Sequence, residues 1–137
     1  MIYRIDVEIT TPLNPTEVED RVVEAVHQLF PGASIEKDED LLVATTHSLD
    51  RLAERLREQE IVTTAREVFR KARRGDEFAF DLKKQAATEG VVNFAVGSPA
   101  ELGDLHVRVR VEDPDVDDFI DFLTPATPMD DERGPEP

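Results

Sequence analysis

Two stretches of strict apolar–polar alternation, one near each end of the chain, restrict the fold more than anything else in the sequence. Tyr3, Ile5, Val7 and Ile9 alternate with Arg4, Asp6, Glu8 and Thr10, and Leu105, Val107, Val109 and Val111 alternate with His106, Arg108 and Arg110. A period of two sends all the apolar side chains of a strand to one face and all the polar ones to the other. Each strand is therefore half-buried, which suits an antiparallel sheet with one wet face and leaves an apolar face to be covered. Segments with helical period supply the cover. Val18, Val22, Ala25, Val26 and Leu29 follow a predicted N-cap at Asn14, with Pro15 at the first helical position and Glu17 three residues after the cap. Phe30-Pro31-Gly32 ends that helix. Ser48 opens a second helix, which buries Leu49, Leu52, Ala53 and Leu56. A third runs over about 63–74, with Gly75 as its C-terminal stop. Asp113-Pro114 opens a last short helix carrying Val116, Phe119, Ile120 and Leu123.

Further strands are expected over 34–37, 41–46, 77–82 and 91–96, with a polar stretch after Leu82 and a loop at Gly97-Ser98-Pro99. The class is α+β, a mainly antiparallel sheet with helices packed on one face. Residues 1–124 read as a single domain, and residues 125–137, proline-rich and acidic, as a disordered tail. At 137 residues with no cysteine, the chain can bury a core without disulfides, and it has no thiolate metal site. Its start lacks the layout of a signal peptide, and no apolar run approaches the roughly 20 residues of a membrane span. These features point to a soluble cytoplasmic protein.

Charge is unevenly placed. The chain carries 31 acids against 16 Lys and Arg, a net charge of -15. Ten of the 16 cations lie between Arg51 and Lys84, where seven acids accompany them, so this segment stands at +3 on a body at -18. Only Lys37, Lys71, Lys83 and Lys84 are lysines. Many acids with few lysines resembles the surface of proteins from salt-loving archaea, and the acidity is read mainly as that adaptation. The basic island is the exception, and it suggests an anionic partner.

Within the island, Arg66, Arg70, Arg73 and Arg74 stand at i, i+4, i+7 and i+8, within roughly one quadrant of a helix at about 100° per residue. Ala65, Val68, Phe69 and Ala72 take the opposing side. The planar guanidinium fork suits phosphate, and the same arginines complement the dipole at a helix C-terminus, so both readings stand. Lys83 and Lys84 add two cations past the 77–82 strand, while Glu54 and Glu58 can pair with arginines of the preceding helix. With one Tyr, and Phe mostly in core positions, a stacking platform for single strands is disfavoured relative to recognition of backbone or helical shape. Nothing announces catalysis. His27, His47 and His106 are dispersed and lack metal-ligand spacing. No metal and no cofactor is expected.

Phe30-Pro31-Gly32, the run from Ile61 through Arg66, Lys84-Gln85-Ala86, Gly90-Val91-Val92-Asn93-Phe94, Leu102-Gly103 and Leu123-Thr124-Pro125 together resemble a conserved archaeal family tied to RNA binding by analogy of fold. The resemblance covers the chain to about Thr127. It implies a homodimer and a fold like that of a large-subunit ribosomal protein that contacts ribosomal RNA. The chain departs from the family pattern in having Lys83 where a His precedes the Lys-Gln pair, Val91 where a Lys follows the glycine, and Thr124 in place of Ala. Losing the His removes the one acid–base group of the motif. Gln85 and Asn93 are candidates for hydrogen bonds to RNA or for ties to neighbouring turns. The expectation is a non-catalytic, homodimeric RNA-binding domain gripping structured RNA with Arg66, Arg70, Arg73, Arg74, Lys83, Lys84 and Gln85. The alternative is a dimeric interaction or regulatory module that docks on an acidic partner chain.

Overall fold

The two alternating stretches become neighbouring strands. In the computed structural model, which describes residues 2–95 and 103–125, β1 (Arg4–Pro12) lies beside β5 (Asp104–Asp113) with Val7 opposite Val109 and Ile9 opposite Val107. Their apolar columns coincide. β2 (Ser34–Asp38), β3 (Leu41–Thr46) and β4 (Glu77–Lys83) complete a five-stranded sheet in the order β2-β3-β1-β5-β4, with every neighbouring pair antiparallel. One face presents Ile5, Val7, Ile9, Leu42, Ala44, Phe78, Phe80, Leu82, Val107 and Val109, all buried. The other carries Arg4, Asp6, Glu8, His106, Arg108 and Arg110 into solvent.

Helices α1 (Glu19–Leu29), α2 (Asp50–Glu58), α3 (Val62–Ala72) and α5 (Val116–Leu123) cover the apolar face, and a short helix, α4 (Lys84–Thr88), follows β4 directly. Their buried residues, among them Val26, Leu29, Leu52, Leu56, Phe69 and Phe119, join the strands in one core cluster. Phe69 lies near its middle, with ring centroids 5.0 Å from Phe78, 4.8 Å from Phe80 and 5.9 Å from Phe94. A fully buried ring of this size contributes about 1.5–3 kcal/mol.

The structure corrects several local expectations. Asn14 does not cap a helix. α1 begins at Glu19, and residues 14–17 form a turn in which the Asn14 backbone N–H and side-chain amide both donate to Glu17 Oε1, at 3.0 and 2.9 Å. The expected strand over 91–96 is reduced, within the described residues, to one bridge between Phe94 and Leu82. Its backbone is held from elsewhere: Gln59 bonds both the N–H and the carbonyl of Val92, and Arg55 Nε donates to the Gly90 carbonyl at 2.6 Å. The polar stretch after Leu82 contains α4. Ser48 is not the cap of α2, which is Leu49, although its Oγ accepts from the Asp50 N–H (3.2 Å), and α5 is capped not at Asp113 but by Asp115, whose side chain accepts from the Asp117 N–H. α3 ends at Ala72, so Gly75, with φ 63°, turns the chain into β4 instead of stopping the helix. Gly103 is required for space, since a Cβ there would stand 2.5 Å from Pro12 Cγ. The Gly97-Ser98-Pro99 loop and the tail beyond Pro125 lie outside the described residues.

Candidate nucleic-acid interface

The structure divides the expected binding residues between the two ends of β4, about 20 Å apart at about 3.3 Å per strand residue. At the Glu77 end, Arg66 and Arg70 of α3, and Arg73 at its C-cap, reach α5 and its cap. Arg66 donates through Nε (3.0 Å) and a terminal nitrogen (2.6 Å) to the carbonyl of Thr124, the C-cap of α5. Arg70 pairs with Asp121 at 2.6 Å and Arg73 with Asp117 at 3.1 Å. A cationic fork on the last carbonyl of a helix is favourable because that end carries the negative pole of the dipole. The helix ends before the expected stripe does: Arg66 and Arg70 lie on α3, Arg73 is its extended C-cap and Arg74 is bridged to Glu77, so the four arginines do not share one helical face. Arg70 and Arg73 remain well exposed, and such pairs are worth about 0–1 kcal/mol in water, so a competing anion can exchange with them. The Arg74 side chain donates to the carbonyl of Arg73 (3.1 Å), and among the described residues neither it nor Lys71 forms an ion pair.

At the other end of β4, Lys83, Lys84 and Gln85 separate in role. Lys84 is buried, with its side chain 6% exposed, and its ammonium donates to the Pro12 carbonyl (2.8 Å) and to both Glu17 oxygens (3.0 and 3.1 Å). It is therefore a structural cation, not one offered to a phosphate. Burial by itself would raise the Glu17 pKa, but hydrogen bonds from Asn14 and Lys84 outweigh it and hold the carboxyl below its ordinary value. Lys83 is exposed, and Asp104 opposite it in the ladder stays beyond ion-pair distance. The Lys83 backbone N–H bonds the Asn93 carbonyl at 2.8 Å.

Above the buried pair runs a groove of about 990 Å³ between the start of α1 and α4, lined by Arg21, Lys83, Gln85 and Asn93 among others. Gln85 and Asn93 are exposed, and the ties to neighbouring turns come from Gln59 and Arg55, which the sequence did not mark. Arg21 was also missed, although it stands one helical turn after Glu17.

The histidines serve separate local contacts. His27 bonds the Ala33 carbonyl, His47 the Ile5 carbonyl and His106 the Asp81 carboxylate. Among the described residues no three His, Asp or Glu side chains gather to hold a metal ion, and no helix is long and apolar enough to cross a membrane.

Residues 6–112 match a family model described as RNA binding, and a UPF0201 protein of Methanopyrus kandleri is 38% identical over 93% of this chain and 87% of its own length. The chain belongs to the archaeal UPF0201 family. A UPF0200/UPF0201 protein of Archaeoglobus fulgidus is also 38% identical over 90% of this chain, but the chain spans only 38% of that protein's length. Two crystal structures of UPF0201 proteins superpose on it. One, of an uncharacterised member, has a TM-score of 0.83 at 36% identity, and the other, from Methanococcus jannaschii, has 0.79 at 33%; each covers 89% of this chain and 94% of that one. The DUF54 protein Mth689 of Methanothermobacter thermautotrophicus, at 18% identity and TM-score 0.61, shares the fold.

Proposed function

We propose that this UPF0201 member is a non-catalytic RNA-binding domain that contacts the phosphates of structured RNA along its β4 edge. The observation that carries the reading is a set of exposed cations that form no ion pair among the described residues. In a chain with 31 acids to 16 bases, Lys71 and Arg74 at one end of β4 and Lys83 at the other have no ion pair among the described residues. Arg70 and Arg73 join them by exchanging their solvent-exposed partners for phosphate. Arg66, held by Thr124, and Lys84, buried against Glu17, support the surface without touching RNA. The family match and the ribosomal-protein-like fold implied by the resemblance agree with this reading. Five phosphate contacts give a slope of about -4 in log affinity against log salt. A hairpin RNA titrated at rising salt should show that slope. The double variant Arg70→Glu with Arg74→Glu should bind at least about tenfold more weakly, and equal affinity would overturn the proposal.

A second reading, an interaction module, draws on the Archaeoglobus fulgidus relative, in which the matching region is a minor part of a longer protein. Under it the basic edge docks on an acidic partner chain and the protein works as a homodimer. Nuclease treatment of complexes purified from the native host separates the readings: partners held through RNA are released, and directly bound chains remain.

A further inference from the structure

We infer that the groove between α1 and α4 receives one unpaired nucleotide, with its phosphate on Lys83 and Arg21 and the edge of its base against Gln85 and Asn93. The inference rests on the RNA-binding reading and names what one part of that surface would recognise. The buried Lys84–Glu17 pair forms the floor, and it fastens α4 to the turn before α1 so that both walls are fixed before anything binds. The hydrogen bond from Lys83 N–H to the Asn93 carbonyl fixes one rim. About 990 Å³ is ample for a nucleotide and within the usual range of small-ligand clefts.

The lining fits the parts of that ligand. Lys83 and Arg21 are exposed cations without an ion pair among the described residues. The carboxamides of Gln85 and Asn93 have no partner among the described residues, and each offers both donors and an acceptor, the complement of a base edge. Val18 lies on the lip at 60% exposure, an apolar surface for the flat face of a ring. Glu89 lines the same groove and disfavours a second or third phosphate. Paired bases hide the edges that the amides would read, and a duplex cannot enter a concavity of this size. The groove therefore selects a loop, bulge or end, while the α3 end of β4 grips the backbone of the adjoining stem.

The test is an amide-resolved NMR titration of the whole chain with nucleoside monophosphates, with a hairpin RNA and with a blunt duplex of the same stem. The hairpin and at least one monophosphate should shift resonances of residues 16–22 and 83–93 and the side-chain amides of Gln85 and Asn93. The duplex should leave that region unmoved. Gln85→Ala and Lys83→Ala, both at exposed positions, should each weaken hairpin binding about tenfold. Hairpin shifts confined to α3, with the groove silent, would overturn the inference and leave the RNA reading in place. Monophosphate binding in the groove without any RNA binding would support the groove as a nucleotide site and remove the RNA reading. Absence of both would remove both.

Discussion

At the Glu77 end of β4, cations are plentiful and largely engaged: Arg66 holds the Thr124 carbonyl, Arg70 pairs with Asp121 and Arg73 with Asp117. At the Lys83 end they are fewer, and the division is sharper. Lys84 is sealed against Glu17, while Lys83 next to it in sequence stands in solvent with no ion pair among the described residues. Adjacent lysines thus perform opposite tasks, because α4 begins between them and turns one side chain inward. A count of positive charge along the sequence locates both clusters but does not tell a cation that packs the fold from one that is available to a ligand. Burial and the nearest carboxylate decide that.

The contrast breaks first at Glu17. Glu17→Gln removes the carboxylate charge beside the buried Lys84 ammonium and should cost about 3 kcal/mol in urea unfolding. Adding Lys84→Met should recover most of the loss, since a buried pair can be exchanged for apolar volume. If the single variant is as stable as the parent, the inward lysine is no structural element and the two ends do not differ in kind. The same pair has a pH signature. The Glu17 carboxyl in the folded chain titrates below its ordinary 4.5. Its contribution is therefore complete above that pH and is lost as pH falls below it through the folded value. The stability difference between the parent and Glu17→Gln should accordingly shrink in that acidic window.

A smaller effect is expected at the other end. Arg66→Met removes two hydrogen bonds to the last carbonyl of α5 and should lower stability by about 1.5 kcal/mol in the same assay. The smallest is the coupling between Arg70 and Asp121. A double-mutant cycle should return about 0.2–1 kcal/mol, as expected for a pair more than half exposed on both sides. A larger value would mean that Arg70 is locked to α5 and not exchangeable for phosphate, which would sharpen the contrast and weaken the binding surface together.

The sheet was legible because alternation in β1 and β5 is a local property, and the helices that cover it were legible from their apolar spacing. What was misread depended on partners far along the chain. Asn14, Pro15 and Glu17 have the residue types of a helix start, yet Glu17 is drawn into a turn by Lys84, which lies 67 residues away. Val91, Val92 and Phe94 look like strand residues, but Arg55 on α2 and Gln59 at its C-cap take backbone groups of Gly90 and Val92. α4 has five residues, too few for an apolar period to show. In the candidate site, the nearness of Arg66 and Arg70 followed from helical geometry, while Arg73 and Arg74 lie past the end of α3, which the spacing did not reveal. That α5 would lay Asp117 and Asp121 beside these arginines did not follow either, because no spacing rule relates those positions.

The placement of β1 bears on how the chain is made. Of the five strands it is made before the others, and it lies between β3 and β5, so the contacts on one of its flanks come only when residues 104–113 have emerged. Until then Ile5, Val7 and Ile9 sit on a strand with an unfilled side, a template for pairing with another copy. Chains truncated before β5 should aggregate where the whole chain stays dispersed, and closure of this long-range ladder is the expected slow event in refolding.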